Sequence, residues 1–182
     1  MSRLFLTVLF LIVLFNGGWF HNTMALFLFA AASTTDYYDG HIARRDGLIT
    51  NFGVLMDPLA DKILMCSAFI AFVDRDWMPA WMVVIIVARE LAITGLRLMA
   101  ASKNVVLAAE RYGKHKTISQ IVAILALLVM GGITEWGKWG KLLLQPWVPT
   151  FAEIAKWVAV ALTAISGALY LWRNRHLYMD DM

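Results

Sequence analysis

Asp36, Asp39, Asp57 and Asp61 stand in an apolar chain with the spacing Asp-x-x-Asp-Gly-x-x-Ala-Arg, eight residues, then Gly-x-x-x-Asp-x-x-x-Asp. Residues three or four apart on a helix share a face, so the first two carboxylates make one pair and the last two another. Two facing pairs form a cage for two hard cations. Two metals about 3.5–4 Å apart are a recurrent device for displacement at phosphorus, neutralising phosphate oxygens and stabilising the leaving group. Calcium suits this set less well than Mg²⁺ or Mn²⁺, because it favours oxygen cages with many backbone carbonyls. The cluster also needs cations for its own sake, since each carboxylate is costly at membrane depth.

Membrane depth follows from composition. Of 182 residues 60% are hydrophobic, against roughly 45–50% in soluble domains. Apolar stretches of about 20 residues cross a bilayer as helix, and the chain divides into six of them. The expected spans are Arg3 to Asn16, Asn22 to Arg44, Asn51 to Val73, Trp77 to Ala101, Lys114 to Ile133, and Phe151 to Trp172. Helices are required because spanning backbone must satisfy its own hydrogen bonds, and the alternation of barrel strands is missing. The breaks carry turn residues: Asn16-Gly17-Gly18, Asp74-Arg75-Asp76, Gly131-Gly132, and Gln145-Pro146 through Pro149-Thr150. Arg3 ahead of the apolar run Leu4 to Phe15 resembles a signal peptide, but no small-residue cleavage site follows, so this run is read as the first span. The fold class expected is an all-α integral membrane protein, one domain over residues 1–182, with no soluble part.

Six spans put both termini on one side. Arg3, Arg44, Arg45, Lys103, Arg111, Lys114, Lys116, Arg173 and Arg175 fall on one set of ends and loops; Arg75, Lys138 and Lys141 fall on the other. Basic residues gather in cytoplasmic loops, so the first set is cytoplasmic. Asp36 and Asp39 then close the second span and Asp57 and Asp61 open the third, giving one site facing the cytosol. The stretch from Glu135 to Pro149, with Trp136, Trp139 and Trp147 among two lysines, reads as an interfacial segment on the outer surface. Asp74, Arg75 and Asp76 read as a solvated turn. His21, His41, His115 and His176 read as solvated residues at ends and loops, without metal spacing. Cys66 is alone and forms no internal disulfide.

Gly40, Ala43 and Gly53 interleave with the acids. Small residues in membrane helices allow close packing, and here they also allow a phosphorylated ligand to approach the backbone. Arg44 suits either a positive-inside anchor or a pyrophosphate contact. Arg89 and Arg97, eight apart on the fourth span, lie nearly on one face, and Lys114 opens the fifth. Arg97 and Lys114 alone would pass as anchors, but Arg89 sits well inside an apolar helix, with Glu90 beside it as a partner. Together the three make an acceptor for a phosphate near the aspartates.

Asp36-Tyr37-Tyr38-Asp39-Gly40-His41-Ile42-Ala43-Arg44 and Gly53-Val54-Leu55-Met56-Asp57-Pro58-Leu59-Ala60-Asp61 match, without a gap, the signature of the CDP-alcohol phosphatidyltransferases, which the chain resembles. The resemblance implies a six-helix membrane enzyme, usually a homodimer, that moves a phosphatidyl group from a CDP-activated lipid to an alcohol and releases CMP. It implies Asp36, Asp39, Asp57 and Asp61 as metal ligands, with Asp61 also the base toward the acceptor hydroxyl. Arg89-Glu90-Leu91-Ala92-Ile93-Thr94-Gly95-Leu96-Arg97 and Gly113-Lys114-His115-Lys116-Thr117 resemble the bacterial phosphatidylglycerophosphate synthase branch, whose substrates are CDP-diacylglycerol and sn-glycerol 3-phosphate. That branch lives in the bacterial plasma membrane among membrane lipids. No nucleic-acid partner is expected. Arg3 stands where this branch carries an arginine on its first helix, while the threonine three residues earlier would precede Met1.

Phosphatidylglycerol, serine and inositol phosphate are rival acceptors, and a non-phosphorylated one such as serine would leave Arg89, Arg97 and Lys114 without a ligand. A divalent-cation transporter is a reading from another class. It would place carboxylates near mid-bilayer at broken helices, rather than at one end. A carboxylate beside the metals takes the alcohol proton as the new bond to phosphorus forms. Asp61→Asn is therefore expected to abolish turnover while CDP-lipid binding persists; more than a few per cent of wild-type rate would move the base elsewhere.

Overall fold

A computed structural model of the chain describes the backbone of residues 2–45, 51–102 and 112–175, and the side chains of residues 4–34, 62–101 and 115–175. Every regular element among these is helical: α1 Ser2–Phe15, α2 His21–Arg45, α3 Asn51–Asp74, α4 Ala80–Ser102, α5 Tyr112–Gly132, α6 Gly137–Leu143 and α7 Val148–Arg173. The long helices follow the expected spans, and the largest displacements are at two prolines. The fourth helix starts at Ala80 rather than Trp77, because Asp76 takes a left-handed φ of 57° and the amides of Trp77 and Met78 both turn back to the Phe72 carbonyl, with Pro79 following. The last starts at Val148 rather than Phe151, with Pro149 in its first turn, where a missing N–H costs nothing. The expected interfacial stretch contains α6. It seats on Gly140, where an added Cβ would stand 2.6 Å from the Ile133 carbonyl oxygen, and it exposes Trp139, Leu142 and Leu143.

Packing runs α1 on α2 and α3, α2 on α5, α3 on α4 and α5, and α7 on α4 and α5. The core joins Phe10 and Leu14 of α1, Phe29 of α2, Phe69 and Phe72 of α3, Met82 and Ile86 of α4, and Ile124, Leu127 and Leu128 of α5, all essentially buried. A smaller cluster of Ile93, Leu96, Ala100 and Tyr170 joins the ends of α4 and α7. The outward faces are apolar too, as Phe5, Phe27, Leu91 and Leu98 show, which suits lipid and not water. Among the described residues His115–Gly132 and Val148–Arg173 are long and apolar enough to cross a membrane by length and composition, while Leu4–Phe15 is a shorter apolar helix.

One end of the bundle is fastened by Glu135, in the turn between α5 and α6. Its carboxylate accepts the backbone amides of Asn22 and Thr23 at 2.8 and 2.9 Å and the Thr23 hydroxyl at 2.6 Å. These are first-turn donors of α2 that have no partner inside the helix, and an anion there also meets the positive end of the helix dipole. Trp136 Nε1 donates to the same hydroxyl at 3.0 Å, and Asn22 Nδ2 to the Gly131 carbonyl at 3.1 Å. Arg75 donates to the Leu14 carbonyl oxygen, meets His21 Nε2 at 3.1 Å and lies over the Trp77 ring. The expected solvated turn is thus a packed one at Arg75, and His21 is held between Arg75 and Glu135, not free in solvent. The physical reason is that buried helix ends need partners for their free amides and carbonyls, and Arg75 and Glu135 supply them.

Burial pushes the Glu135 carboxyl pKa up, but the Thr23 hydroxyl, the Asn22 and Thr23 amides and His21 outweigh it, so the group sits below its ordinary value. A pKa lower in the folded than in the unfolded chain contributes stability above the ordinary glutamate range and loses it as pH falls through the folded value. Glu135→Ala should lower stability by about 1–3 kcal/mol near neutral pH, the cost of stranded buried donors. Thermal unfolding in detergent checks this, with the gap to wild type closing as the solution is acidified below the glutamate range.

Candidate active site

The aspartates lie on the two helices whose ends point away from the Glu135 fastening. Asp36 and Asp39 fall in the C-terminal half of α2, and Asp57 and Asp61 in the first three turns of α3. The side chains of Asp36, Asp39, Gly40, Ala43, Arg44, Gly53, Asp57, Asp61 and Lys114 lie outside the described residues. At the same end, side chains of α3, α4, α5 and α7 meet in a polar network.

Glu90 is its centre. Its Oε1 accepts Arg89 Nη1 at 3.1 Å and also the Lys116 ammonium, joining α4 to α5. Its backbone carbonyl accepts the Thr94 hydroxyl at 2.7 Å, and that hydroxyl in turn accepts the Lys62 ammonium from α3. Arg89, Glu90 and Lys116 side chains are only 13%, 12% and 6% exposed. Arg89 Nε is buried without a hydrogen-bond partner among the described residues. Arg97 is exposed, donates from Nε to the Tyr170 hydroxyl at 3.4 Å and lies over that ring, which ties it to α7. Deeper between α5 and α7, Gln120 Nε2 donates to the Thr163 hydroxyl at 2.9 Å, both residues being buried.

Arg89 and Lys116 thus meet one described carboxylate, Glu90, with Lys62 held on Thr94 beside it and Arg97 two turns along α4. Lys62 lies within electrostatic reach of Glu90, Arg97 and Arg89, and Lys116 within reach of Glu90, Arg89 and Lys62. Cations inside an apolar bundle are costly unless anions answer them. Arg89 fits because Gly167 faces its stem: a Cβ on Gly167 would stand 2.6 Å from Arg89 Cγ. The arrangement suits an anionic ligand held at the end of the bundle that carries the aspartate-bearing stretches.

The sequence profile of the CDP-alcohol phosphatidyltransferases matches residues 1–165. The chain belongs to the CDP-alcohol phosphatidyltransferase family. Among similar members of that family, a Bacillus subtilis (strain 168) protein named CDP-diacylglycerol–glycerol-3-phosphate 3-phosphatidyltransferase is 48% identical over 147 residues, 81% of this chain and 71% of its own. A Mycobacterium tuberculosis (strain H37Rv) protein named probable phosphatidylglycerophosphate synthase is 37% identical over 175 residues, 94% of this chain and 77% of its own. A Rickettsia felis protein with the same name as the Bacillus one is 36% identical over 143 residues, 79% and 74% of the two chains. This member of the phosphatidyltransferase family is accordingly a transferase of phospholipid biosynthesis.

Sequence reasoning found Arg89 and its partner Glu90, and the structure joins them. It missed Lys62, although a cation directly after Asp61 inside an apolar helix is the same kind of anomaly that drew attention to Arg89. It left Lys116 open, since two lysines flanking His115 give no sign of which one turns inward. The contact of Arg97 with Tyr170 joins residues 73 apart and had no local signal.

The Gly167 contact yields a test of its own. Gly167→Ala forces the Arg89 stem aside, and overpacking of this kind costs about 1–3 kcal/mol. Gly95→Ala on α4 meets nothing within 4 Å. Thermal midpoints in one detergent should fall for the first and stay level or rise for the second.

Proposed function

We propose that the chain transfers the phosphatidyl group of CDP-diacylglycerol to sn-glycerol 3-phosphate, giving phosphatidylglycerophosphate and CMP. The observation that carries this reading is the gathering of Lys62, Arg89 and Lys116 from α3, α4 and α5 around Glu90 and Thr94, at the end where α2 and α3 carry the four-aspartate signature. Cations so placed answer a phosphorylated acceptor and have no use for serine. The names of the Bacillus and Rickettsia relatives support the same substrates.

The family generally depends on divalent cations, and the donor chemistry here fits that requirement: four carboxylates in two helical pairs, with α2 and α3 as their carriers. Among the described residues no other group of three or more His, Cys, Asp or Glu suits a metal. Asp36, Asp39, Asp57 and Asp61 would hold two Mg²⁺ or Mn²⁺ ions. Once bound, these supply charge neutralisation at the pyrophosphate and at the departing CMP. Gly40, Ala43 and Gly53 admit the nucleotide close to the backbone, and Arg44 meets the pyrophosphate. Arg89, Arg97 and Lys114 hold the acceptor phosphate. Asp61 takes the proton of the acceptor hydroxyl, whose oxygen forms the new bond to the lipid-side phosphorus as the bond to CMP breaks.

In this reading the single domain of residues 1–182 crosses a bacterial plasma membrane six times, through α1 to α5 and α7. Both termini and the site are cytoplasmic, α6 lies on the outer surface, and the protein works as a homodimer. The charge bias of the loops supports that orientation.

Purified protein with CDP-diacylglycerol and Mg²⁺ or Mn²⁺ should release CMP at a rate that depends on sn-glycerol 3-phosphate, with little response to serine, inositol phosphate or phosphatidylglycerol. Excess chelator should abolish the release and added divalent ion restore it. Absence of CMP with every acceptor would overturn the assignment.

A further inference from the structure

We propose that Glu90 is the positioning residue of the acceptor-phosphate site, holding Arg89 and Lys116 so that they converge with Lys62 on one phosphate dianion. The proposal rests on the function set out above and extends it to three residues that the function does not itself require.

A single oxygen of Glu90 takes hydrogen bonds from cations on two helices, while its own carbonyl anchors Thr94, which receives the third cation from a third helix. Without the carboxylate the three cations repel one another across a poorly screened space. The flexible lysines would then turn toward solvent, and ligand binding would carry the cost of regathering them. Arg89 is further fixed by Gly167 against its stem, and its buried Nε keeps an unused donor among the described residues. A pair that only fastened α4 to α5 would need neither Thr94 nor Lys62. Glu90 contacts cations, so it acts on the acceptor through them.

The test uses the full chain in nanodiscs of fixed lipid composition, with sn-glycerol 3-phosphate and CDP-diacylglycerol varied in turn. Glu90→Gln should raise KM for glycerol 3-phosphate about tenfold or more, the loss of one charge-assisted contact set, with kcat and the KM for CDP-diacylglycerol within about threefold. Inhibition by inorganic phosphate should weaken in parallel, and Glu90→Asp should fall between Gln and wild type. Lys62→Gln, which leaves the Glu90–Lys116 pair in place, should raise the same KM and keeps the proposal testable if Glu90→Gln fails to fold. An acceptor KM unchanged in either variant, or both KM values rising together with a lowered thermal midpoint, would overturn it. Wild-type protein that releases no CMP with glycerol 3-phosphate would instead overturn the assigned reaction. Inorganic phosphate binding by wild type against Glu90→Gln, measured by calorimetry, would then still decide the role of Glu90.

Discussion

A charge inside an apolar bundle has to be answered where it stands, because neither lipid nor a neighbouring leucine can solvate it. Among the described residues two glutamates each answer several such groups. Glu135 meets the bare amides that open α2, and Glu90 meets Arg89 and Lys116 where α4 passes α5. Glu135 reaches across more than a hundred residues of sequence to α2, while Glu90 joins α4 to the helix that follows it. The apolar core between them, from Phe10 to Leu128, supplies close packing, and the polar contacts at the two ends add specific pairings between helices.

The two ends differ in what their polar groups meet. At the Glu135 end the carboxylate accepts amides of α2 and the Thr23 hydroxyl, while Arg75 donates to the Leu14 carbonyl. At the Glu90 end one carboxylate gathers cations from two helices, and the aspartate-bearing halves of α2 and α3 run to the same end. The first set of contacts is a fastening; the second brings cations to the end that carries the aspartates. A phosphoryl-transfer enzyme with a lipid donor and a water-soluble acceptor needs that division of labour within one small bundle.

The helices were legible in the sequence because apolar length and turn residues speak for themselves in a membrane chain, and the long helices fall close to the expected spans. The departures at Ala80 and Val148 came from prolines whose effect depends on whether they fall before a helix or in its first turn. The aspartate motif was legible as chemistry from spacing alone. What spacing could not supply was pairing across helices. Arg75 looked like a solvated charge until Leu14, His21 and Trp77 surrounded it. Lys62 drew no reading at all until Thr94 stood opposite. Nothing local to either residue encodes those neighbours, which are set by how α1, α3 and α4 lean on one another.

The Glu135 fastening has a mechanical side. It grips α2 at its first turn, and α2 then runs for 25 residues, a rise of about 37 Å. A rod held at one tip behaves as a lever: a tilt of about 5° at the grip displaces the other tip by about 3 Å over that rise. Asp36 and Asp39 are carried toward the moving tip, so a barely perceptible rocking at the Glu135 grip is enough to shift that pair by ångströms relative to α3.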